Sequence, residues 1–256
     1  MKYSAEDLQY ISGEKFSASY LLKLTENALY SRTETILNIV SGHRVVHVGC
    51  CDHLPLIEKA IQNNKWLQGI LDQACEDVLG IDINEEAVNF VNNRKLAKHE
   101  VLCGDITSKT FCSSFDVSAY DYIVMGELLE HINNPVLWLG QINDNMRDRG
   151  FRGKYIITVP NALCASSARL LRRKVESINS DHKYWFTPYT IAKVCYEAGI
   201  VPEELIFSGF NRGGQGDNFI TSHFFFYLEK IRKRPSSYEA YRGDQLVFIG
   251  KDMRQD

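Results

Sequence analysis

The sequence has no apolar run that approaches the roughly 18 to 20 residues needed to cross a bilayer, and its opening stretch MKYSAEDLQY has no apolar signal core. Membrane insertion and secretion are therefore not expected, and a cytoplasmic protein is. Paired C-x-x-C elements are also missing. The seven cysteines are odd in number and irregularly spaced, with Cys50 and Cys51 adjacent, which argues against a disulfide framework and against a closed zinc site. Nor is there an excess of positive charge. A formal charge of -3 offers no general attraction for phosphate backbones, and the short basic stretches RLLRRK (169–174) and EKIRKRP (229–235) are only local, so a nucleic-acid partner is not expected. Internal repeats and low-complexity tracts are absent.

What is present is an ordinary globular composition, 45% hydrophobic and 24% charged, in a chain of 256 residues that can bury one large core. One domain spanning 1–256 is expected. Residues 5–41 have helix-compatible apolar spacing, at Tyr20, Leu21, Leu24 and Ala28 and again at Ile36, Leu37 and Val40, ending at Ser41-Gly42. They predict an N-terminal helical cap over 1–42. Beyond it, short β-rich runs alternate with longer amphipathic segments: RVVHVG (44–49), DVLGIDI (77–83), HEVLCGD (99–105), YDYIVMGE (120–127) and KYIITVP (154–160). EELIFSGF (203–210) and QLVFIGKD (245–252) predict two more strands, and SHFFFYLEKI (222–231) a helix between them. The expected core over 43–256 is thus an α/β, doubly wound, seven-stranded sheet with an insertion at 161–186. Ligands of such sheets sit outside the carboxyl ends of the strands.

The residues at those ends are chemically informative. Gly49 allows a tight turn after the first strand, but a full glycine fingerprint would place glycines near positions 51 and 53, where Cys51 and His53 stand. A pyrophosphate cradle, and with it a dinucleotide-dependent oxidoreductase, is disfavoured. Asp82 closes the second strand 33 residues after Gly49, where a carboxylate can accept from both hydroxyls of a ribose. Asp105 ends the third strand and can receive an adenine amino group, and Glu127 ends the fourth. An isolated aspartate at a strand end is as often a turn or helix cap.

VVHVGC, VLGIDIN, VLCGDI, DYIVMGELLEH and YIITVPN, in this order between about residues 44 and 210, resemble the motifs of the class I methyltransferases. The similarity extends to a bacterial and archaeal subgroup with GIDIN, GE-x-x-EH, TVPN and H-x-x-WF-x-P, many of whose members resemble enzymes of surface polysaccharide, lipid or secondary-metabolite pathways. This resemblance implies a Rossmann-like sheet with one antiparallel strand. It also implies S-adenosylmethionine as donor and attack by an acceptor oxygen or nitrogen on the sulfonium methyl. The expected cofactor contacts are Gly49, Cys51 and His53 on the loop, Asp82 with Ile83, Asp105 with Ile106, and Glu127. The chain departs from the pattern in the second and third loop glycines.

On the acceptor side, Glu127, Glu130 and His131 stand at i, i+3 and i+4, so a helix beginning at GELLEHINNP (126–135) would carry all three on one face. The arrangement is similar to the ExxEH metal site of ubiquinone-pathway and small-RNA 3′-end methyltransferases, and His182 in SDHKYWFTP (180–188) stands where the RNA enzymes have a further histidine. Such a set implies a divalent cation, Mg²⁺ or Mn²⁺, held by Glu127, Glu130, His131 and His182. The metal-free alternative leaves His131 and His182 as general bases, with His53 a weaker third. Arg169, Arg172, Arg173, Lys174, Lys183, Tyr184, Trp185 and Phe186 make residues 161–186 an expected acceptor lid, although charge runs are commonly solvated helix faces and a tryptophan is more often core. The expected acceptor is a hydroxylated small molecule such as a sugar, nucleotide sugar or glycan-linked group. The competing readings are 2′-O-methylation of an RNA 3′ terminus and a catalytically silent binding domain.

Overall fold

The computed structural model describes residues 1–24, 30–51, 54–208 and 243–254. Two helices come first, α1 (Ala5–Ser12) and α2 (Arg32–Val40), each started by a serine capping box, Ser4 with Asp7 and Ser31 with Glu34. The core follows as β1 (Arg44–Val48), α3 (Leu54–Gln62), α4 (Leu67–Ala74), β2 (Asp77–Asp82), α5 (Glu85–Asn93), β3 (Leu102–Cys103), α6 (Lys109–Cys112) and β4 (Tyr122–Gly126). The chain continues through α7 (Pro135–Asp148), β5 (Lys154–Pro160), α8 (Ala165–Arg172), α9 (Pro188–Glu197), β6 (Ile200–Ser208) and β7 (Gln245–Asp252).

The strands form one sheet in the order β3-β2-β1-β4-β5-β7-β6. All neighbours are parallel except at β7, which runs antiparallel to both β5 and β6. Strand order reverses between β1 and β4, and this opens a crevice at their carboxyl ends. Side-chain alternation splits the core into two layers. Val46, Val48, Ile123, Met125 and Ile157 pack with Leu139 of α7 and Ile191 of α9, while Val45, Val124, Ile156 and Val247 pack with Ile36 of α2 and Leu71 of α4. Central strands are buried on both faces, which is why they read as unbroken apolar runs.

Three local expectations are corrected. The third strand shrinks from 99–105 to Leu102–Cys103 because the preceding backbone is bonded to side chains: Asp72 accepts from Lys98 N–H, and the Asn92 amide both donates to and accepts from Val101. The apolar spacing at Tyr20, Leu21 and Leu24 does not make a helix. Tyr20 instead stacks on Tyr10 with ring centroids 4.0 Å apart and donates to Asp7, while Leu21 is exposed. β6 begins at Ile200, ahead of the predicted 203; Ala28, His53, the end of EELIFSGF and the segment 222–231 lie outside the described residues.

Candidate active site at the carboxyl edge of the sheet

Gly49 leaves β1 with φ of +70°, a left-handed conformation that favours glycine, and its N–H donates to Ile81 O at 2.9 Å. A Cβ here would press on the Leu128 side chain at 3.0 Å, so the turn lies directly against the segment that follows β4. The loop then folds back on β2. Cys51 N–H donates to Asp82 Oδ2 and Asn84 N–H to Oδ1, both at 2.9 Å.

Asp82 is therefore aimed and held from both sides, yet each oxygen keeps a lone pair that two ribose hydroxyls could use. Burial pushes its pKa up while those N–H bonds pull it down. Next to it Ile83 is 71% exposed, an apolar surface beside a polar anchor, as a purine riboside would require. This donor set fits the adenosyl half of S-adenosylmethionine. Asp105 is exposed, and its Oδ1 takes the N–H and hydroxyl of Thr107 at 2.8 and 2.7 Å, so it caps its own turn while Oδ2 stays available. Ile106 is buried in the core, which leaves only its backbone to face a ligand.

The acceptor side differs from the helical expectation. Glu127 has φ of +53°, and its N–H bonds to Thr158 O and Oγ1, which ties it to β5. No α-helix starts at 126; a 3₁₀ turn at Leu129–His131 follows, and α7 begins only at Pro135, capped by Asn134. Glu127 thus parts from the other two. Its Oε1 accepts from Thr158 Oγ1 at 3.0 Å and lies 3.8 Å from the Arg32 guanidinium. Burial raises its pKa against the pull of Arg32.

Glu130 is 0% exposed, and neither of its carboxylate oxygens has a hydrogen-bond partner. Burial, and then the charge of Glu127, push its pKa up to about 8. His182 Nε2 lies 3.8 Å from Glu130 Oε1, and the His131 and His182 rings meet edge to face with centroids 4.6 Å apart. One ligand atom from each of Glu130, His131 and His182 falls within 4.8 Å of the others, a cluster that Glu127 does not join. Burial lowers the pKa of His182, which favours the neutral imidazole that a base or a metal ligand must be.

The histidines meet because Lys183 and Tyr184, which follow His182, are bonded along the turn after β4. Lys183 N–H donates to Glu130 O at 2.8 Å, Lys183 Nζ to His131 O at 2.5 Å, and Tyr184 Oη to Asn133 O at 2.7 Å. Residues 161–186 leave and rejoin the body at one neck, an Asn161–Phe186 bridge with Ala162 N–H donating to Phe186 O at 2.8 Å. Buried Asn161 fixes that neck by donating to Gly243 O. Within the insertion α8 buries none of its residues, so Arg169 and Arg172 stand on an open face, as do Arg173 and Lys174 just beyond it. Trp185 is half-buried and donates to Glu176, and Phe186 is core.

Arg32 and Thr158 were not singled out by sequence reasoning. Thr158 stands inside the TVPN signal; nothing near Arg32 in the chain marks it as the partner of the residue that follows β4.

Residues 25–205 match the family model described as "Methyltransferase domain". Among curated proteins none matches the sequence. Solved structures similar to the chain include a SAM-dependent methyltransferase from Archaeoglobus fulgidus, 14% identical over 86% of this chain and 91% of that one, with a TM-score of 0.48. Another is magnesium protoporphyrin IX methyltransferase from Synechocystis with bound SAH, 12% identical over 86% and 81%, TM-score 0.49. The small RNA methyltransferase HEN1 is 16% identical over 91% of this chain but 27% of its own, TM-score 0.47. These likenesses are distant, and the acceptors of those proteins are their own. With most of its length matched by the family model, a carboxylate and an apolar surface suited to an adenosine at the end of β2, and the seven-stranded order with one reversed strand, the chain belongs to the methyltransferase domain family and is an S-adenosylmethionine-dependent methyltransferase.

Proposed function

We propose that the enzyme O-methylates a hydroxylated small molecule, a sugar, nucleotide sugar or glycan-linked group, and that Glu130, His131 and His182 handle the acceptor's proton. The observation that carries this reading is the buried, unpartnered Glu130 carboxyl against two imidazoles, beside the crevice. An alcohol needs a proton acceptor as it attacks, and a neutral imidazole is suited to the task near neutral pH. Bound S-adenosylmethionine supplies a sulfonium methyl whose C–S bonding pair stays with sulfur as the new C–O bond forms. His182, kept neutral by burial, takes the hydroxyl proton, and Glu130, with Oε1 3.8 Å from Nε2, orients the imidazole. Gly49, Cys51, Asp82, Ile83, Asp105 and Ile106 are the proposed lining of the donor site. Glu127, paired with Arg32 and Thr158, braces its far wall.

The orphaned oxygens of Glu130 and the clustered imidazoles also fit a divalent cation, which Glu130, His131 and His182 would hold and which would lower the pKa of a vicinal diol. In that form the imidazoles are ligands and not bases. Residues 161–186 serve as the acceptor's lid, with Arg169, Arg172, Arg173 and Lys174 placed to receive a phosphate.

The test is methyl transfer from labelled donor to sugars, nucleotide sugars, glycans and 3′-terminal RNA, before and after exhaustive chelation with bound metal assayed. Transfer to a hydroxylated small molecule, lost in His182→Ala, is expected. Transfer confined to the RNA terminus would overturn the acceptor, and full activity in metal-free protein would reject the cation.

A further inference from the structure

Away from the histidine cluster, sulfur gathers around the ribose-binding position. Cys50 Sγ and Cys51 Sγ are 4.0 Å apart, and with a carboxylate oxygen of Asp82 their ligand atoms all lie within 4.8 Å of one another. Cys50 is buried with its sulfur against Gly80 of β2, Cys51 is half-buried, and Cys103 is exposed directly across from Asp82 in the β2–β3 register. Neighbouring parallel strands point paired residues to the same face, so Cys103 stands beside the carboxylate.

We propose that Cys50, Cys51 and Asp82 form a site for a thiophilic divalent ion of the zinc class, and that this ion and S-adenosylmethionine exclude one another at Asp82. The exclusion rests on the reading of Asp82 as the ribose acceptor.

Two observations support the site. A tetrahedral ion with bonds to sulfur of about 2.3 Å separates two of its sulfurs by about 3.8 Å, close to the distance between these thiols. The donor set is two soft sulfurs and one oxygen, which selects zinc-like ions over Mg²⁺ and leaves a fourth position for water or Cys103. The competition follows from lone pairs. Cys51 and Asn84 N–H already use one on each Asp82 oxygen, so an ion takes a position that a ribose hydroxyl needs.

Cadmium is the probe, because its thiolate complexes absorb in the ultraviolet and the histidine cluster contains no thiol. Metal-free protein is titrated with Cd²⁺, alone and with saturating S-adenosylhomocysteine, in the wild type, Cys50→Ser and Cys103→Ser; S-adenosylhomocysteine binding is measured separately without metal. We expect one thiolate-bound Cd²⁺ per chain, weakened by the nucleoside. Cys50→Ser should weaken Cd²⁺ by at least about tenfold, since even outer-shell partners of metal ligands cost about 10- to 100-fold. Absence of the thiolate band, or a band unchanged both in Cys50→Ser and by the nucleoside, overturns the site. If Cys50→Ser does not fold, competition in the wild type decides. Failure of the nucleoside to bind metal-free protein refutes the ribose reading instead, and the site then stands or falls on Cys50→Ser.

Discussion

Replacing Glu130 by Gln probes the site through stability, before any acceptor is known. The wild-type carboxyl is wholly enclosed, and neither oxygen has a partner. Its pKa rises from the usual 4.5 to about 8 on folding, through burial first and the Glu127 charge second. Between those pH values the folded chain keeps a proton that the unfolded chain has lost, so this group's contribution is complete below about pH 4.5 and is lost as pH rises towards 8. Each pH unit of that interval is worth about 1.4 kcal/mol, which sets a ceiling of about 5 kcal/mol; relaxation and water entry reduce it to about 2 to 3 kcal/mol. Glutamine has nearly the same shape and no charge to bury, so its own cost does not vary with pH. Urea unfolding from pH 5 to 9 in chelator should therefore show the wild type losing stability relative to Glu130→Gln as pH rises. Added Mn²⁺ should flatten the wild-type profile if the cluster holds it. Parallel profiles in chelator would refute the claim that Glu130 is an uncompensated buried acid.

Asp82→Ala removes the charged acceptor proposed for two hydroxyls and should weaken S-adenosylhomocysteine by about 1.5 to 3 kcal/mol, or one to two decades, in calorimetry; unchanged affinity would reject the ribose assignment. His47 is buried on β1 and shares a 2.9 Å hydrogen bond with Gln68, and burial lowers its pKa to about 4. Stability should accordingly be complete above pH 6.5 and fall as pH drops towards 4, and the His47 NMR signal should titrate near 4; titration near 6.5 would contradict the burial. At Gly153 an added Cβ would meet Asp121 O at 2.0 Å, backbone that cannot swing aside, so Gly153→Ala should cost about 1 to 3 kcal/mol in chemical denaturation; a neutral result would show that the β5 entry can shift.

The parts of this molecule that were legible beforehand are those set by local chemistry. Val45, Val46, Ile123, Ile156 and their neighbours form continuous apolar runs because both faces of a central parallel strand are covered. QLVFIGKD coincides with β7 for a similar reason. Asp82 could be placed because the last residue of a strand is fixed by the strand itself. Two of the failures share a cause, side chains that satisfy distant backbone. Asn92 takes the hydrogen bonds of Val101 and shortens β3, and Thr158 captures Glu127 N–H and turns GELLEH away from helix. Neither competitor is a sequence neighbour, so periodicity cannot register it. The Arg32–Glu127 pair joins the cap to the turn after β4 across the fold and is invisible for the same reason.

The narrow neck at Asn161 and Phe186 bears on how such an enzyme could change its acceptor. A loop that departs and returns at one point can be lengthened, shortened or exchanged while the sheet beneath stays intact, which makes it a natural cassette. Here the cassette contains His182, together with the Lys183 and Tyr184 hydrogen bonds that seat it against the turn after β4. A graft that replaced the loop to alter recognition would also remove one member of the proposed proton-handling cluster and two of its fastenings. If the proposed roles hold, acceptor choice and proton chemistry are inherited as one unit, and a successful graft must bring its own histidine and its own pair of anchors.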